Sequence, residues 1–100
     1  MTDQAAADRE RIAGEMKSRG APACLEMAPT LDAAVRAFEV LCEPAEWVWW
    51  CGVWPYDGKI RRIWWARKIG IGREIRIDGT CNHAADVCRL VCEVLDKEAK

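Results

Sequence analysis

All six tryptophans of this 100-residue chain fall within EWVWWCGVWPYDGKIRRIWW, Glu46 to Trp65. Trp, Val and Ile favour extended backbone because bulky side chains pack well on a pleated surface. Pro55-Tyr56-Asp57-Gly58 interrupts them with turn chemistry. Pro fixes φ, and Gly58 accepts the positive φ that other side chains resist. The stretch therefore reads as a β-hairpin, with strands over 46–54 and 59–68. A lone hairpin is marginal in water. The rest of the chain has to complete the sheet and cover one face of it.

Three further segments meet that need. REIRID, residues 73–78, alternates polar and apolar positions and follows Gly70 and Gly72, so it reads as a third strand. Leu31, Ala34, Val35, Phe38, Leu41 and Cys42 recur at helical spacing, with Thr30 as the cap and Pro44 as the stop, giving a helix over 31–43. Ala84, Val87, Cys88, Val91, Cys92 and Leu95 form the stripe of a last helix over 82–97, capped by Thr80 or Asn82, with Asp86, Arg89, Glu93 and Asp96 turned to water. Residues 3–19 favour helix by composition, with Thr2 or Asp3 as its cap and Gly20 past its end. Its apolar stripe is thin (Ile12, Ala13, Met16), which suggests weak packing or a role toward a partner. The expected architecture is α+β: a three-stranded antiparallel sheet packed by two helices, in the order α-β-β-β-α, with an additional N-terminal helix. One domain spans 1–100, made of the helix over 1–20, a proline-bearing linker over 21–30 and the α-β-β-β-α core over 31–100.

Side chains alternate across a strand, which divides the tryptophans equally. Trp47, Trp49, Cys51, Val53, Ile60, Trp64 and Ala66 share the face least interrupted by charge, and are assigned to the core. Trp50, Trp54 and Trp65 share the other face with Arg61 and Arg67. Either the N-terminal helix or the arginines lie over those rings as lids, or the rings form an exposed aromatic and cationic patch, rich in the residues that dominate binding hot spots.

Charge sharpens the second reading. The chain nets −1, yet residues 47–77 hold seven basic and two acidic residues, a local +5. The expected partner is a protein with an acidic or nucleic-acid-binding surface, with nucleic acid itself as the alternative. No apolar run approaches the ~20 residues of a membrane helix, and the first residues lack the apolar core of a signal peptide. A cytoplasmic protein with free thiols is expected, since the six cysteines sit in apolar patterns. Cys81, His83, Cys88 and Cys92 include soft metal ligands, but lack a C-x-x-C knuckle and overlap the core stripe. No cofactor and no metal are expected. Nor is catalysis: the single histidine is paired with no particular cysteine, and Gly70-Ile71-Gly72 precedes a strand rather than a helix.

The α-β-β-β-α order over 31–97 resembles double-stranded-RNA-binding domains in topology. That family presents lysines at the start of its last helix, and the matching stretch here, residues 80–86, contains none. The compact size, the strand WVWW, the turn PYDG and the final helix TCNHAADVCRLVCEVL resemble small accessory proteins of phages and mobile elements, including anti-CRISPR proteins. That resemblance implies a non-catalytic inhibitor that occludes a nucleic-acid-binding surface of a larger host complex. The contact residues are expected to be Trp50, Trp54, Arg61, Trp65 and Arg67. A nucleic-acid-binding module using the same Trp/Arg face is the alternative.

Overall fold

A computed structural model describes residues 4–21, 30–80 and 82–99, apart from the side chain of Tyr56. The elements are α1 (Gln4–Ser18), α2 (Leu31–Leu41), a 3-10 turn (Glu43–Ala45), β1 (Trp47–Tyr56), β2 (Lys59–Lys68), β3 (Glu74–Asp78) and α3 (His83–Glu98). The α+β order is the expected one, and the sheet is antiparallel throughout, in the order β1-β2-β3. Thr2, Asp3 and residues 22–29 of the expected linker lie outside the described residues. No helix among the described residues is long and apolar enough to cross a membrane.

Local chemistry sets the boundaries. The Thr30 hydroxyl accepts from the Ala33 N–H at 3.1 Å, and the Asn82 side chain accepts from the Ala85 N–H at 3.1 Å, so each helix opens on a side-chain cap. Asn82, not Thr80, caps α3. Pro44 diverts the end of α2 into the 3-10 turn, closed by Glu46 in the left-handed region at φ 67°. The hairpin loop is only Asp57-Gly58, at φ 52° and 71°. Two positive φ values make a type I′ turn, whose twist matches that of the flanking strands and allows β1 to run on to Tyr56.

The core forms between the helices and one sheet face. Phe38, Leu41, Trp47, Trp64, Ala66, Ile75, Val87, Leu90 and Val91 are all buried there. Phe38 meets Trp49 edge-on, ring centroids 6.5 Å apart. The expected core face is thus occupied at Trp47, Trp64 and Ala66, with Trp49 and Cys51 half-buried. It fails at Val53 and Ile60, which are 46% and 78% exposed. The reason is length. Ten-residue strands run about 33 Å, while an eleven-residue α2 runs only about 16 Å, so the hairpin tip projects past its cover. Leu31, on the apolar stripe expected for α2, is exposed at the start of that helix.

α1 departs further from expectation. It packs against α3 and α2, and Ile12 and Met16 are fully buried. Its thin stripe suffices because α3 is apolar on more than one side. Asp8, buried on α1, pairs with Arg89 at 3.1 Å, and Arg11 pairs with Asp96 at 2.7 Å. Arg89 is therefore half-buried, and Asp86, also expected to face water, is buried against Trp64 and Thr80. α1 does not supply the cover for the second tryptophan face.

Candidate functional site

The register places the second face row by row. Trp50 opposes Trp65, which opposes Arg76; Trp54 opposes Arg61; Val48 opposes Arg67, which opposes Glu74. The tryptophans form a ladder. Trp50 stacks on Trp65 at 5.7 Å with a 12° interplanar angle, and Trp54 also stacks on Trp65 at 5.4 Å and 30°. Trp50 and Trp54 remain 40% and 38% exposed, while Trp65 is half-buried between them. Offset stacking of this kind contributes about 0.5–1.5 kcal/mol per pair beyond area burial.

Gly52 makes the ladder geometrically possible. A Cβ at this position would meet Trp54 Cζ3 at 2.6 Å and Trp65 Cζ3 at 3.1 Å, so both rings fold over the glycine backbone. The residue opposite Gly52 is Ile63, buried to 2% although it lies outside the main core cluster. Ile63 anchors a small apolar layer that the rings themselves seal. The tryptophans are thus each other's lids, without a helix of the described residues above them.

The five residues expected to form a contact surface, Trp50, Trp54, Arg61, Trp65 and Arg67, are brought to this one face. Arg61 is not a bare cation. Its Nη2 lies 3.6 Å from Asp78 Oδ1, with both side chains about half exposed or more. Such an exposed pair typically contributes about 0–1 kcal/mol. Arg76, exposed beside Trp65, belongs to the same face and was missed. Alternation marked Arg76 as sharing one side of β3 with Glu74 and Asp78. Which side that was depended on the turn after Lys68, where both Gly70 and Gly72 fit, and a one-residue slip inverts the assignment.

Among the described residues no three His, Cys, Asp or Glu side chains cluster as metal ligands. Cys81 lies outside the described residues, and Cys88 and Cys92 are core residues. Burial pushes the Cys42 and Cys92 thiols up to about 12 and the Cys88 thiol up to about 11. They are neutral, poor nucleophiles at pH 7. A thiol reagent at neutral pH is expected to leave Cys42, Cys88 and Cys92 unreacted in the folded protein. All six cysteines are expected to titrate after denaturation without reduction, and a lower number would demonstrate a disulfide.

No protein-family model, curated protein or solved structure matches the chain.

Proposed function

We propose that the chain is a non-catalytic binding protein that docks on an acidic protein surface through Trp50, Trp54, Arg61, Trp65 and Arg67, with Arg76 beside them. The observation that carries this reading is the uncovered tryptophan ladder flanked by arginines. The rings offer dry area, and the guanidinium groups offer charge-assisted donors to carboxylates. The +5 of residues 47–77 draws an acidic partner. The segments outside that span, which carry the helices, net −6 against the total of −1. Bound through its sheet, the protein presents this acidic side outward, where it repels or displaces nucleic acid. That is the action of an inhibitor of the anti-CRISPR kind. Single-strand binding by the same face is the weaker reading, because the rings already stack on one another and leave less ring area for bases.

The test is the double variant Arg61→Glu with Arg67→Glu, applied to a partner isolated with the parent protein. Both side chains are exposed, so melting should change little. Partner affinity should fall by about thirtyfold or more, the loss typical of a hot spot. A variant that folds and binds like the parent would remove this face from the function. Salt-dependent binding of single-stranded oligonucleotide by the parent, lost in the variant, would transfer the face to nucleic acid.

A further inference from the structure

At the edge of the sheet, a cavity of about 370 Å³ opens between the hairpin tip and the start of α3. That volume lies within the range of small-ligand sites. Its apolar wall is Val53 and Ile60, the residues that outrun the helical cover. Its polar wall is Arg61, Arg62, Asp78 and His83.

Neither Arg62 nor His83 is matched. Among the described residues Arg62 meets no carboxylate. Its Nη1 donates to Cys51 Sγ at 3.3 Å, and its guanidinium carbon lies 6.0 Å from the centroid of the Trp64 ring. A thiol is a weak acceptor for one of the five donors on a half-buried guanidinium. The His83 ring stands edge-on to Trp64 at 6.0 Å, and neither of its nitrogens has a hydrogen-bond partner among the described residues. The nearby carboxylates are engaged elsewhere. Asp78, which also lines the cavity, pairs with Arg61, and Asp86 is occupied by Trp64 and Thr80. The positive end of α3 begins at His83 and adds to the same wall. Asp78 is thus matched by Arg61 within the cavity wall, and the donors of Arg62 and His83 are left in excess across from an apolar strip.

The geometry points to a binding site for a small carboxylic acid, with the carboxylate on Arg62 and His83 and a hydrocarbon chain along Val53 and Ile60. The site shares Arg61 with the ladder face at the sheet edge, but its ligand contacts are Arg62, His83, Val53 and Ile60, and it does not rest on the docking reading. Calorimetric titration of the full chain with acetate, butyrate, hexanoate and inorganic phosphate tests it. Hexanoate should saturate a single site. Affinity should rise from acetate to hexanoate by up to about fourfold per methylene, the value of a buried CH₂. Arg62→Gln should weaken hexanoate by about tenfold or more, as expected for loss of a charged hydrogen bond. Val53→Glu, at an exposed position that tolerates a carboxylate, should do the same without changing the melting temperature. Arg36→Glu, remote on α2, should change nothing. Absence of saturable hexanoate binding, tighter binding of phosphate than of hexanoate, or affinity unmoved by Val53→Glu would each overturn the assignment, whether or not Arg62→Gln folds.

Discussion

Phe38→Ala should cost about 3–5 kcal/mol, the range for removing a buried aromatic ring from a core. Phe38 is fully buried on α2 and is the ring through which that helix meets Trp49 of β1. Its removal deletes apolar contact and leaves a cavity whose walls are already fixed. Trp49 is tilted against Trp64 at 5.8 Å, and Trp64 is held from behind by α3. A domain of this size has only about 5–15 kcal/mol in total. At about 4–8 °C per kcal/mol, the melting temperature should fall by about 12 °C or more. Leu31→Ala on the same helix, at a position 41% exposed, should cost under about 1 kcal/mol. Equal losses at the two positions would mean that α2 does not meet the sheet through Phe38.

That contrast within one helix shows how far periodicity reaches. Leu31 and Phe38 belong to one stripe by spacing, and spacing placed the stripe correctly. It did not say where along the helix the sheet ends. The hairpin shows the same limit. A two-residue Asp57-Gly58 loop preserves parity between strands, so the division of the tryptophans into two faces was legible. The exposure of Val53 and Ile60 was not, because it depends on strand length relative to helix length. α1 was misjudged for a different reason. A stripe of Ile12 and Met16 looks weak alone, and its burial depends on α3 being apolar on two sides, a property of another segment. Of the contact face, the rings and Arg61 and Arg67 were readable, whereas Arg76 required the register of a turn with two competing glycines. Mutual stacking of the rings depends on Gly52, whose missing side chain reads in sequence only as a weak point in a strand.

Asp86 is where the sequence pattern misleads most, and it carries the second large effect. By spacing it belongs to the solvent side of α3. In the structure it is 4% exposed, and three donors converge on its carboxylate. Trp64 Nε1 donates to Oδ2 at 3.0 Å, the Thr80 N–H donates to Oδ2 at 2.9 Å, and the Thr80 hydroxyl donates to Oδ1 at 2.7 Å. The group thus ties the middle strand to the loop that starts α3, and its charge also suits the first turn of that helix. Asp86→Ala would leave the Trp64 N–H buried without an acceptor and release Thr80. Each orphaned buried donor costs about 1–3 kcal/mol, more where the lost partner was charged, so a loss of about 3–5 kcal/mol is expected. Asp86→Asn keeps the shape and one acceptor. Its oxygen can still serve Trp64 and the Thr80 N–H, while the rotatable Thr80 hydroxyl turns to accept from the new amide. Only charge assistance is lost, and the cost should be about 1–2 kcal/mol. Urea unfolding of both variants separates the cases. If alanine and asparagine are equally mild, the carboxylate contributes little and α3 is held by its apolar stripe alone. If both are equally severe, the charge itself, rather than the convergence of donors on an acceptor, fixes the start of α3 against the sheet.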